Sequence, residues 1–225
     1  MTGAAQRREW LWRLAAAALC AVVVAPAARA ACTPPAEKLS YVVRWGGDPI
    51  GRDEVEFTTA GNQLTVRTRI DVEARLLFVP VLRLNHESEE LWTDGRLTRF
   101  SGRTVDNGAK IEVKIEPEGE GYVLTRNGER TNLPGDFLPG SPWCRSILAR
   151  TGARVLVDLV NGKHATAEIT GPVDDSVAIK GERRAAQRYD MAGPLEREAW
   201  FDEQGRVVRA RWPAKLGPKA SIELD

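Results

Sequence analysis

The sequence predicts an all-β protein, mainly antiparallel, folded as a strongly curved sheet or incomplete barrel with one short helix near residues 143–150. Three observations predict it. Apolar and polar residues alternate with a period of two from Leu64 to Phe78, again at 110–116 and at 208–212. Successive side chains of a strand point to opposite sides, so an antiparallel strand with one wet face reads this way. Asp94-Gly95, Asn107-Gly108, Asn127-Gly128 and Asn161-Gly162 punctuate strand-like runs with dipeptides that accept the positive φ of tight hairpins. The strand near 63–77 would extend roughly 50 Å, and strands of that length belong to curved sheets and barrels.

Residues 1–30 read as a cleaved export signal. Arg7, Arg8 and Arg13 precede an uncharged run from Leu14 to Ala28, and Ala28-Arg29-Ala30 fits a signal peptidase that cuts between Ala30 and Ala31. The run is shorter than the about 20 apolar residues of a membrane span, and Pro26 disturbs a helix within it. No stable membrane span is expected, and the expected location is periplasmic or secreted. Arg7-Arg8-Glu9-Trp10-Leu11 fits either a twin-arginine signal, which exports folded protein, or an ordinary basic leader. Arg29 stands where a lipobox before Cys32 would place a large aliphatic residue, so a non-lipidated cysteine is expected.

Cleavage removes Arg7, Arg8, Arg13, Arg29 and Glu9, leaving 28 basic against 30 acidic side chains, a formal charge of −2. That balance excludes the basic field of a non-specific nucleic-acid binder and simple electrostatic docking on anionic lipid. Cys20 leaves with the signal. Cys32 and Cys144 remain as a disulfide candidate in an oxidising compartment, the alternative being two separate thiols. A bridge would close a loop worth about 4–5 kcal/mol in the chain-entropy model.

Residues 31–225 form a single β-rich domain. Strands are expected near 39–46, 50–59, 63–77, 82–93, 96–105, 109–116 and 121–126, then near 153–160, 164–170, 176–180, 186–192, 196–202, 206–212 and 219–224. Between the two sets, Pro134, Gly135, Pro139, Gly140 and Pro142 exclude a central strand. Ser141-Pro142 then reads as an N-cap with proline at the first helical position, opening a helix with Trp143, Ile147 and Leu148 on one face. That helix is expected to pack against the sheet or plug its end.

Several phrases carry a family resemblance: Asp48-Pro49-Ile50-Gly51, Phe78-Val79-Pro80-Val81-Leu82-Arg83, Glu90-Leu91-Trp92-Thr93-Asp94-Gly95-Arg96-Leu97, Asp106-Asn107-Gly108 and Leu138-Pro139. Ala186-Gln187-Arg188-Tyr189 and Glu198-Ala199-Trp200-Phe201-Asp202 continue it. Over residues 31–225 the chain resembles a family of secreted bacterial proteins known as domain of unknown function 6134. That family is similar to envelope β-proteins with a curved antiparallel sheet, of the kind that carries lipids. The resemblance implies a fold and no activity, since its phrases are turns and aromatic anchors. The chain departs from it at Pro142-Trp143-Cys144, where an aromatic residue followed by asparagine is expected, which makes Cys144 a local feature.

The densest titratable cluster is His86-Glu87-Ser88-Glu89-Glu90. On a strand His86, Ser88 and Glu90 point one way, and a solvated strand edge is the plain expectation. A zinc-hydrolase signature needs a second histidine where Glu90 stands, so no metal site is expected. Cys144 and His164 have the residue types of a thiol nucleophile and its base, set against a disulfide or a packed thiol. No serine occupies a Gly-x-Ser-x-Gly elbow, and Gly46-Gly47 with Gly51 reads as a turn rather than a phosphate loop.

Trp45, Trp92, Trp143, Trp200 and Trp212 lie on or beside expected strands. Each alone reads as core packing. Together with nearby apolar residues they suggest a cavity, and the candidate ligand-contact set is Trp45, Phe78, Leu82, Leu84, His86, Trp92, Trp200 and Trp212. The expected function is non-enzymatic: binding or carrying a lipid-like or other apolar molecule in a curved-sheet cavity, without a cofactor. The alternative is an envelope structural or assembly module that binds another protein, and the minor alternative is a hydrolase.

Overall fold

The structure, a computed structural model, describes residues 34–141, 143–214 and 217–225. The predicted export signal, its Ala30–Ala31 cleavage site and Cys32 lie outside the described residues. The first eight strands are β1 (Lys38–Trp45), β2 (Asp48–Ala60), β3 (Gln63–Leu76), β4 (Val79–Thr93), β5 (Arg96–Asp106), β6 (Ala109–Glu118), β7 (Gly121–Arg126) and β8 (Glu129–Leu133). Seven follow: β9 (Leu138–Pro139), β10 (Gly152–Val157), β11 (His164–Ile179), β12 (Glu182–Ala192), β13 (Arg197–Phe201), β14 (Val207–Trp212) and β15 (Ala220–Leu224). Among the described residues no helix is long and apolar enough to cross a membrane.

Among the described residues all 15 strands join one sheet, in the order β8-β7-β6-β5-β4-β3-β2-β1-β15-β14-β13-β12-β11-β10-β9. Two meanders, β1–β8 and β9–β15, are welded by the antiparallel pair β1–β15. β9 pairs with β10 in parallel. The sheet does not close: its edges, β8 and β9, are consecutive in the chain and linked by residues 134–137.

The alternation does what it predicts. On β3 the even residues Leu64, Val66, Val72 and Ala74 are buried on the inner face. The outer face carries cross-strand ion pairs set by register. Arg67 faces Glu89, Arg69 faces Glu87, Glu73 faces Arg83, and Arg103 faces Glu112. Each exposed pair contributes little stability, but opposite charges directly across a ladder oppose register slips. Asp94-Gly95, Asn107-Gly108 and Asn127-Gly128 turn with positive φ at both residues, as the hairpins require.

The sequence expectations need three corrections. The strands expected near 164–170 and 176–180 are one strand, β11, which continues through a register shift between Thr170 and Val173. Neither β8 nor the two-residue β9 was expected: Glu-Arg-Thr-Asn-Leu has no apolar alternation, and β8 is an edge strand whose side chains are mostly solvated. The helix is a four-residue 3-10 turn, Arg145–Leu148, entered from Cys144 rather than capped by Ser141. The Ser141 hydroxyl is engaged by Glu90 instead.

Side chains close the gap that the backbone leaves. The buried Arg154 guanidinium donates to the carbonyls of Asp136, Ile147 and Phe137. Tyr122 packs edge-on against Phe137, and its hydroxyl donates to the Leu97 carbonyl. Trp143 reaches across to β2 and β4, with ring centroids 5.5 Å from Phe57 and 5.4 Å from Trp92. Gly140, Ser141 and residues 143–148 thus form a strap inside the curve, against β2 and β4, that plugs one end of the curved sheet.

Gly51 permits the closest strand approach: a Cβ there would lie 2.0 Å from the Asp71 carbonyl oxygen. Replacement of Gly51 by alanine is expected to push β2 off β3 and cost more than about 2 kcal/mol. Urea unfolding of the variant checks this, and an unchanged midpoint would contradict it.

Candidate functional site

The plug leaves the rest of the interior open. A cavity of about 670 Å³ lies between the inner face of the sheet and the strap, within the range of small-molecule sites. Its floor is buried, formed by Trp143, Cys144, Leu148 and Leu156. Its other end carries the exposed residues Val81, Asn107, Lys163 and Pro213. Register places the 45–48, 76–79 and 106–109 turns together at that end, so the mouth opens there.

The candidate ligand-contact residues divide. Trp45, Leu82, Leu84, His86 and Trp212 line the cavity. Trp92 lies buried beside the lining and donates its indole N–H to Glu90. Trp200 lies on the outer face in a separate apolar cluster with Val177, Ile179, Ala186 and Val208. Its indole N–H donates to Asp175, and Arg211 stacks 5.3 Å from its ring. A register shift between Trp200 and Phe201 turns Phe201, not Trp200, into the main core. Phe78 is 93% exposed at the tip of the β3–β4 hairpin.

Polar groups interrupt the apolar lining in a defined row. Across the sheet, Tyr41 (β1), Asp53 (β2), Ile70 (β3), His86 (β4) and Thr104 (β5) stand in direct register on the inner face. The Thr104 hydroxyl donates to the Val160 carbonyl. Its oxygen therefore accepts from His86 Nδ1, 2.8 Å away, which leaves His86 Nε2 bare as an acceptor. Burial pushes the imidazole down to about 4, so it is neutral at pH 7. Gly102 makes room for it: a Cβ there would lie 3.2 Å from His86 Cε1.

Asp53 Oδ1 is shielded from water and has no hydrogen-bond partner. Burial raises this carboxyl to about 7, and burial beside it pushes the Tyr41 phenol up. Nothing in the local sequence marks Asp53, since its strand neighbours Arg52 and Glu54 are also charged. Only the inward phase of β2 distinguishes it.

Glu90 is a buried carboxyl, 1% exposed, and it corrects the expectation of a solvated strand edge for 86–90. β4 is an interior strand of the sheet, so its even residues enter the core. Glu90 accepts from Trp92 Nε1 at 2.9 Å, Ser141 Oγ at 2.6 Å and Trp143 Nε1 at 3.2 Å. Burial raises its pKa while these three donors oppose the rise. It holds the strap to β4.

Cys144 is disulfide-bonded, which corrects the thiol-nucleophile alternative. Cys32, the partner the sequence suggests, lies outside the described residues. His164 is exposed at the start of β11.

Replacing Glu90 with alanine is expected to cost about 3–5 kcal/mol, because two indoles and a hydroxyl lose their acceptor in a dry site. Thermal unfolding reads this, and E90Q, which keeps one acceptor oxygen, should fall between. Asp53 loses its proton near 3.8 when unfolded and near 7 when folded. The folded state thus holds an extra proton in that window, and the Asp53 contribution to stability falls as pH rises through it. His86 acts oppositely: between about 4 and 6.5 the unfolded chain binds the proton that the folded chain excludes, so its contribution rises with pH. Wild type minus D53N should therefore decline from pH 4 to 7, and wild type minus H86Q should climb from pH 4 to 6.5. Flat differences would contradict the assigned burial.

No functionally curated protein matches the chain in sequence. Its fold is similar to the crystal structure of a β-barrel-like protein of domain of unknown function DUF1849 from Brucella abortus, with a TM-score of 0.60 at 10% identity over 84% of this chain and 94% of that one. A DUF1089-family protein from Pseudomonas aeruginosa is more distantly similar, with a TM-score of 0.43 at 12% identity over 76% of this chain and 94% of that one. The first likeness supports the curved sheet and carries no function. A sequence-family model matches residues 41–225, from the middle of β1 to the last residue, and the chain belongs to that family, domain of unknown function DUF6134.

Proposed function

We propose that this is a periplasmic or secreted, non-enzymatic binding protein that carries a lipid-like or other apolar molecule inside its curved sheet. One observation carries the reading: the 670 Å³ interior, closed at one end by the strap, is lined mainly by apolar side chains with a few polar groups among them. A sheet that had only to be stable would fill that space, because interiors close-pack and voids are costly. Ile70, Leu82 and Leu84 are only partly buried while facing inward.

The test fills the cavity. The hydrophobic dye N-phenyl-1-naphthylamine should bind the wild type with enhanced fluorescence. Leu84→Trp combined with Ile70→Trp should weaken it at least about tenfold without lowering the melting temperature. Equal dye binding by wild type and double variant would overturn the reading.

The second reading, an envelope module docking another protein, is favoured by the β3–β4 tip. Leu77, Phe78 and Val79 are 85%, 93% and 61% exposed in sequence. Leu77 and Phe78 also hold φ of 48° and 69°, a conformation that bulky residues rarely adopt. Consecutive exposed apolar residues on a constrained tip mark a contact element. Val81 and Leu82, just along β4, line the mouth, so whatever meets the tip also meets the cavity. Under the carrier reading L77S/F78S keeps dye binding and abolishes co-flotation with phosphatidylcholine vesicles. A wild type that does not float assigns the tip to a protein partner.

A further inference from the structure

We propose that the cavity selects an amphiphile with a protonated amine head, and that Asp53 is the group that receives it. This rests on the cavity being a ligand site. Asp53 faces the cavity about 10 Å across the sheet from His86, at two strand spacings. Asp53 is only partly buried and lines the cavity, while its Oδ1 is shielded on the wall side and unpartnered, and a carboxyl so placed without a donor is costly. A ligand ammonium against the cavity side of this carboxyl supplies a donor and the opposite charge. The bare Nε2 of His86 adds a second acceptor on the same wall and no positive charge.

The charge of the lining points the same way. Its titratable groups are Tyr41 on β1, Asp53 on β2, His86 and Glu90 on β4, and Asp106 on β5. Asp158 and Lys163 lie between β10 and β11, and Arg197 and Glu198 on β13. Five are carboxyl groups and two are cations; Glu198 is held by Arg211 and Lys219, and Glu90 by its three donors. Arg197 is committed to Asp158 at 3.0 Å and to the Gly140 carbonyl at 2.9 Å. Lys163 is exposed at the mouth. An anionic head, such as a fatty acid carboxylate or a phosphate, would meet carboxyl groups in a poorly solvated space. An ammonium meets its complement at Asp53.

Calorimetric titration of residues 31–225 with dodecylamine, dodecanol and dodecanoic acid at pH 7 tests this. The wild type should bind the amine at least about tenfold more tightly than the acid. Asp53→Asn should lower amine affinity about tenfold and leave dodecanol within about twofold. A measurement independent of any variant uses buffers of different ionisation heat. With Asp53 near 7, amine binding should release about half a proton at pH 7, because the ammonium favours the ionised carboxyl. Amine and acid binding equally, or no proton release, would overturn the assignment to Asp53. Dodecanol bound alike by both proteins would then leave the cavity reading standing. Failure of all three probes to bind would overturn the cavity reading and the amine preference with it.

Discussion

The sheet has one main apolar face, and among the described residues no second layer lies on it. Thirty or so buried apolar side chains from every part of the chain form one continuous cluster on that face. With no opposing sheet or helix pair among the described residues, the face leaves water by curling on itself. Long strands and the right-handed twist make the curl possible. The rest of the architecture follows from the size of the resulting interior, which exceeds what its side chains fill. Hence the strap enters one end, and hence that strap needs a polar fastening within an apolar space.

Glu90 supplies that fastening. Three donors from β4 and the strap converge on one carboxyl, so the plug is positioned by directional bonds and not by packing alone. Arg154 plays the matching part at the sheet gap, where backbone carbonyls between β8 and β10 have no ladder partner. These two buried polar residues let an open sheet behave as a closed container. Asp53 differs from both. Its shielded Oδ1 has no hydrogen-bond partner in the fold, which is why it points to a ligand.

Much of the fold was legible in the sequence because period-two alternation and Asn-Gly or Asp-Gly turns are local signals. They located most strands, the break near 134–142 and the apolar concave face. β8 and the joining of β11 were not legible, since edge pairing and a tolerated register shift depend on neighbours distant in sequence. The helix was misread because Ser141 has the chemistry of an N-cap, and only the fold shows Glu90 competing for its hydroxyl. Alternation around residue 86 gave the phase of His86 and Glu90 but not the depth of β4 in the sheet. Trp200 could not be assigned to a face from sequence, because one shifted residue before Phe201 reverses the phase. Asp53 left no signal beyond its position on a strand.

The central claim is that the interior is held open for an apolar cargo. Native mass spectrometry of the processed protein, purified from an envelope fraction and measured again after organic extraction, tests it most directly. A discrete added mass that extraction removes is the expected result, and its chemistry would also identify the head group. A single apo mass before and after extraction, from protein that also fails to take up added amphiphile, would contradict it.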